Sequence, residues 1–231
     1  MGCKINTLNP PMVFKSSTLR PSFRITAVSS FASSSPKQQA STRTTKLPNS
    51  DAYSISFKTL EACKLGISRY PDFDYNAKGG TGTGIGTKDG DHISVSFDLQ
   101  NLYIPPLTSE TTRILGLPLP PGLKIDIVPE SFQGRIAPDS GKAELEFVAN
   151  FWFSAGSFYR APPLLVKTVL TSEESRGSIR NGVGERLDKA GKCRLVGVAS
   201  VDPIDDVFMN TFLSLPTECL AILNAVISIS E

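Results

Sequence analysis

The sequence predicts a mostly β protein: a single antiparallel β-barrel or sandwich of about eight or nine strands, with one or two short helices, after a disordered N-terminal transit peptide. Three observations lead there. From residue 53 onward, apolar side chains recur at every second position, the period of a strand with one buried face. No long amphipathic helices are interleaved between these runs, so a parallel sheet of βαβ units is not expected. The first fifty residues have a composition that cannot build a core.

Residues 1–50 contain no Asp or Glu, seven Lys or Arg and sixteen Ser or Thr. A basic, hydroxyl-rich, acid-free start is the composition of an organelle transit peptide, and its high Ser/Thr content favours the plastid. No apolar stretch suits a secretory signal. The opening MGCKIN raises acylation at Gly2 and Cys3, but the myristoylation pattern wants Ser or Thr where Asn6 stands. The expected organisation is therefore a transit peptide and Ser/Thr-rich linker over 1–50 and a β-rich globular domain over 51–231, located in the chloroplast, in the stroma or peripherally on the thylakoid. From residue 51 on, 17 basic residues face 22 acidic ones. That balance argues against nucleic acid, whose phosphates call for concentrated Lys and Arg. No apolar run is long enough for a transmembrane helix.

The elements follow in order. Tyr53, Ile55 and Phe57 alternate with polar residues, and Leu65 and Ile67 then Phe73 and Tyr75 continue the pattern. HISVSFDLQ places Ile93, Val95, Phe97 and Leu99 on one face. Residues 101–122 hold five prolines, which remove donors and fix φ. This stretch reads as a rigid apolar connection with one helical turn at 108–115, serving as a lid, an edge cover or a docking strip. LKIDIV and SFQGRIA read as short strands bent or bulged around Pro129. AELEFVANFWF is the strongest strand, with Phe147, Phe151 and Phe153 on one face. LLVKTVLTSE and CRLVGVASV are further strands, and charged, glycine-containing 173–192 is a solvated loop. DDVFMNTFL suits a short helix. Residues 218–229 fit both a helix and a strand, and their β-branched end favours the strand.

Four motifs bear on chemistry. GGTGTGIGTKDGD at 79–91 lacks the spacing of a Walker or dinucleotide loop and is followed by a strand, so it reads as slack between two strands. His92 is the lone histidine and no nucleophile elbow accompanies it, which leaves a Ser-His-Asp triad without support. Asp202, Asp205 and Asp206 could hold a divalent cation, but Asp-Pro turns and helix capping explain them more simply. Cys63, Cys193 and Cys219 lack metal-ligand spacing and read as buried thiols. No cofactor is assigned and no catalytic residue is named, although carboxylates at a barrel mouth keep an enzyme among the hypotheses.

The stretches YIPPLTSETTRILGLPLPPGLKIDIVPE, FWFSAGSFYRAPPLLVKTVLTSEESRG and CRLVGVASVDPIDDVFMNTFLSLPTECLA resemble an uncharacterised plastid-targeted protein family of plants, over most of residues 53–229. The resemblance implies plastid residence and a single domain, and it brings no activity or site residue. The expected architecture is also similar to that of the plastid lipid-associated fibrillins, without a matched motif.

The leading expectation is a non-enzymatic chloroplast protein that binds a small apolar ligand, a lipid or pigment, inside a β-barrel. Phe97, Leu99, Phe147, Phe151 and Phe153 are the candidate ligand-binding residues. The alternative is an interaction or assembly factor with a solid core and a plastid protein partner.

Overall fold

The computed structural model describes residues 52–231, so the transit peptide expected over 1–50 lies outside the described residues. Seven strands come first: β1 (Ala52–Thr59), β2 (Cys63–Ile67), β3 (Phe73–Tyr75), β4 (Thr81–Asp89), β5 (His92–Phe97), β6 (Thr112–Ile114) and β7 (Leu117–Pro118). Two long strands follow, β8 (Leu123–Ala137) and β9 (Lys142–Ala155). The chain continues through β10 (Tyr159–Arg160), β11 (Leu164–Thr171), β12 (Glu174–Arg176), β13 (Asn181–Val183) and β14 (Lys192–Val201). It ends with the helix α1 (Val207–Leu213) and the strand β15 (Thr217–Ser230).

Eight of these strands form an antiparallel circuit in the order β1-β4-β5-β8-β9-β11-β14-β15, and β15 pairs back onto β1. The pairing of β15 with β1 means that neither strand presents a free edge where they meet. The slenderest join is between β11 and β14, where one register pair, Thr171 with Val196, is supplemented by side chains. There the Thr168 hydroxyl donates to the Val198 carbonyl at 3.0 Å, and Ser175 of β12 accepts the Val198 N–H at 3.0 Å.

The ring changes membership along its axis. In the first storey β1 flanks β15. In the second, β2 takes its place on Cys219–Ile222, and β3 and β6 extend the wall. The proline-rich connection then closes the second storey: Leu107 bridges to Ile125 of β8, with N···O distances of 2.9 Å in both directions. The Tyr75 hydroxyl donates to the Pro105 carbonyl, fastening the connection to β3. The expected helical turn within 108–115 is a single one, closed by the Thr112 N–H donating to the Thr108 carbonyl at 2.9 Å. Thr112–Ile114 and Leu117–Pro118 then make a small hairpin through Leu115 and Gly116, both at positive φ. The extra short strands raise the count to fifteen, above the eight or nine anticipated.

The glycine run, expected as slack between two strands, is itself a strand. Thr81–Asp89 is β4, paired with β1 on one side and β5 on the other. Thr83, Ile85 and Thr87 point out to solvent, while Gly82 and Gly86 are buried on the inner face. A Cβ on Gly82 would lie 2.8 Å from the Leu102 side chain, and one on Gly84 would lie 2.5 Å from the Ser96 carbonyl oxygen. Missing side chains on β4 thus make room for large ones opposite. Phe97 stacks on Phe132 with centroids 4.4 Å apart, and Phe57 meets both edge-on. Each such aromatic pair adds about 0.5–1.5 kcal/mol beyond its burial. Ile55, Ile136, Leu145 and Leu195 complete a filled core in this storey.

Local chemistry explains the remaining elements. β8 is one continuous strand rather than two, with the expected bulge between Pro129 and Ser131, where Pro cannot donate to the ladder. α1 is capped by Asp206, whose carboxylate accepts the Met209 N–H at 2.8 Å. Residues 217–230 form a strand, as the β-branched end favoured. The stretch expected as a solvated loop contains the β12–β13 hairpin, which covers Val196 and leaves it fully buried. Its tip is held by Glu218 of β15, whose carboxylate accepts the N–H groups of Ser178, Ile179 and Arg180 at 2.7–2.9 Å.

At the filled end, Ser54 of β1 pairs with Ser230 of β15, and turns at Gly90 and Gly141 link neighbouring strands. Both ends of the described domain therefore lie at this base, away from the second storey.

Candidate functional site: an apolar cavity

The second storey is hollow. Its interior holds a cavity of about 330 Å³. The floor is Phe147, whose ring meets Phe132 edge-on at 5.6 Å and so rests on the aromatic cluster below. One wall is Ile125, Ile127, Phe151 and Phe153 on β8 and β9. Facing it are Leu164, Val166 and Thr168 of β11 with Ala199 and Val201 of β14. Leu65, Phe73, Tyr75 and Leu223 close the β2–β3–β15 side, and Leu107 and Leu119 enter from the proline-rich connection. Tyr70, Phe212 and Pro120 both line the cavity and reach solvent, and they mark its mouth.

The difference between storeys shows in burial. Inward residues of the first storey, such as Ile55 and Leu145, have no exposed surface. In the second, Leu164, Val201 and Leu213 of the lining are buried as well, while the larger Phe151, Phe153 and Leu223 around the cavity are only partly so.

The lining has no charged side chain and its hydroxyls are engaged elsewhere. Thr168 donates to Val198, Tyr75 to Pro105, and Tyr70 to the Phe212 carbonyl at 2.6 Å. Burial raises the Tyr75 phenol well above its ordinary range. Burial also pushes the Cys219 thiol up to about 11, so it stays a neutral, weakly polar wall group. An apolar cavity of about 150 Å³ stays dry and accepts benzene. The one here is larger, and its walls offer an occupant dispersion contacts and release from water.

The anticipated site residues divide. Phe147, Phe151 and Phe153 are brought together on the cavity surface. Phe97 lies beneath them, stacked in the filled core and off the lining. Leu99 is outside altogether: β5 ends at Phe97, the chain turns at Asp98–Asn101, and Leu99 is exposed there. Asp98 makes that turn by accepting the Gln100 N–H, which breaks the alternation that put Leu99 in line with Phe97. Lining residues from β11 and from the proline-rich connection were not anticipated. The alternation Leu164, Val166, Thr168, Leu170 carried the signal for the former, since all four line the cavity.

Other candidates resolve into structural roles. Asp206 caps α1 and accepts the Tyr159 hydroxyl at 2.7 Å. Cys63 and Cys193 are buried free thiols, both raised in pKa by burial, Cys193 to about 12. Among the described residues, no group of three His, Cys, Asp or Glu is placed to hold a metal ion, and no helix is long and apolar enough to cross a membrane. No protein-family model matches the chain, and no curated protein or solved structure matches it either.

Proposed function

We propose that this protein holds a small apolar molecule, a lipid chain or pigment, inside the second storey of its barrel, without catalysing a reaction on it. The observation that carries this reading is the cavity itself: about 330 Å³, with every hydroxyl on its wall already hydrogen-bonded to the protein. A polar ligand would find no partner there and would lose its hydration. An apolar one gains about 0.8 kcal/mol for each CH₂ taken out of water. The acid-free, hydroxyl-rich segment over 1–50 supports a plastid setting for this binding.

The test is direct. N-phenyl-1-naphthylamine, a neutral apolar dye, should bind at one site per chain, with its fluorescence raised and blue-shifted. Chloroform extraction of protein purified from plastids should release a lipid or pigment in near-stoichiometric amount. A chain that takes up no dye and carries no extractable molecule would sink the reading.

A further inference from the structure

We propose that the rim of the cavity mouth docks on an uncharged lipid bilayer, and that the cavity exchanges its occupant there; the exchange step rests on the proposed function above. Three separate elements at this end present apolar side chains to solvent. The first is α1. Met209 and Leu213 bury one face of it, yet the other face carries Val207, 83% exposed, with Phe208 and Phe212. A helix that is apolar on both faces is normally enclosed, and this one contains no charged residue. The second is the β6–β7 hairpin, whose tip presents Leu115, 79% exposed, and Leu117. The third is the turn between β9 and β10, where Phe158 is 96% exposed.

These features are continuous with the cavity. Phe212 and Tyr70 line it, stand 5.7 Å apart ring to ring, and Phe212 stacks on Phe208 at 5.7 Å. Phe208 meets Tyr159, the residue after Phe158, at 5.5 Å. Ile114, the register partner of Phe73, lines the cavity immediately before Leu115. Apolar surface thus runs from the interior over the lip and out along projecting tips. Singly projecting tips around an opening suit a fluid acyl boundary, into which each can sink independently. A cargo bound by these walls is insoluble in water, and a rim seated in lipid gives it a path that never crosses solvent.

Charge selects the kind of bilayer. Attraction to anionic lipid needs a cluster of Lys and Arg. Here Lys124 is paired with Asp126 at 2.7 Å and Arg160 lies over the Trp152 ring at 4.9 Å; Arg69 beside Tyr70 and Arg113 beside Ile114 are exposed on separate elements, Arg113 opposite Asp74 in the β3–β6 register, while Asp202 and Asp205 add negative charge beside α1. The domain as a whole carries more acidic than basic residues. Binding therefore comes from apolar insertion into an uncharged surface.

The experiment is flotation of the full chain with phosphatidylcholine vesicles, run beside dye uptake from solution. Wild type should float. The triple variant Leu115→Ser, Phe158→Ser, Phe208→Ser should lose at least fivefold in bound fraction while taking up N-phenyl-1-naphthylamine normally. Ile85→Ser, at an exposed position on β4 away from the mouth, should change neither. Wild type that stays in solution overturns the docking proposal, as does a triple variant that floats like wild type. Flotation that requires phosphatidylserine points to the basic 1–50 segment and also overturns it. A wild-type dimer that the triple variant dissociates assigns the rim to a second copy of the chain, again against the proposal. Flotation lost in the triple variant, with no dye uptake by any form, leaves the docking standing and removes the cavity reading.

Discussion

Glu218 of β15 and Arg180 of the β12–β13 turn are 38 residues apart, and the Glu218 carboxylate accepts the Arg180 backbone N–H at 2.9 Å. The same carboxylate takes the N–H groups of Ser178 and Ile179, while the Arg180 guanidinium reaches Asp72 and the Ser68 carbonyl. One acidic and one basic side chain thereby tie the outer hairpin to β15 and to the β2–β3 loop.

The three N–H donors hold the Glu218 carboxyl below its ordinary range. A depressed folded pKa stabilises the hairpin above the unfolded value near 4.3, and this contribution is lost as pH falls through the folded pKa. The protection of the Ser178–Arg180 amides against hydrogen exchange, taken relative to the intrinsic rate at each pH, should fall at acid pH before that of the barrel strands. Glu218→Gln should bring that loss of protection to neutral pH. Unchanged exchange in the variant would remove Glu218 from this role.

Gly84 lies where an added methyl would meet the Ser96 carbonyl at 2.5 Å and the Phe97 Cα at 3.0 Å, both backbone atoms. Gly84→Ala should destabilise the domain by about 1–3 kcal/mol, the usual cost of overpacking. A neutral or stabilised variant in urea titration, as unfolded-state entropy alone would give, would contradict the packing described.

The two storeys should answer mutation in opposite ways. Leu145→Ala in the filled half should cost about 2–5 kcal/mol with dye binding per folded chain intact. Ala199→Leu, projecting into the cavity, should keep or raise Tm and cut dye affinity by about tenfold, equivalent to about 1.4 kcal/mol. Calorimetry and fluorescence titration on the pair read both halves. Loss of dye binding in folded Leu145→Ala alone would place the ligand elsewhere.

Thiol chemistry gives a fourth check. Burial raises Cys63, Cys193 and Cys219 above the ordinary thiol value of about 8.5. Raised folded pKa values favour the neutral thiols when folded, so stability declines as pH climbs past the unfolded value and those thiols ionise in the open chain. In a Cys3→Ser background, a charged disulfide reagent at pH 8 should react with the buried Cys63 and Cys193 only as fast as the domain opens. Fast reaction of either would contradict the enclosure of its strand.

Much of the barrel was legible because β8, β9, β14 and β15 carry long alternations, and the bulge at Pro129 was legible because proline has no N–H to give. β4 was hidden by the same rule. Its inward positions are glycines, so alternation appears as Gly with Thr or Ile, and glycine-rich sequence reads as turn. The β-branched residues at every second place were the evidence for a strand. The proline-rich wall was hidden differently: it joins the barrel through isolated bridges at Tyr103 and Leu107 rather than through a ladder, and such contacts leave no periodic trace. Phe147, Phe151 and Phe153 could be placed on one face from spacing alone. Whether that face met packed side chains or empty space depended on residues far away in sequence, such as Leu107 and Val166.

The pairing of Ser54 with Ser230 has a practical reach. A fluorescent fusion, an affinity handle or a sensor-chip tether joined directly ahead of Ala52 or after Glu231 attaches beneath the sealed floor. Immobilised that way, the molecule would stand upright with its opening facing the flow, ready to be offered vesicles without steric interference from its own support.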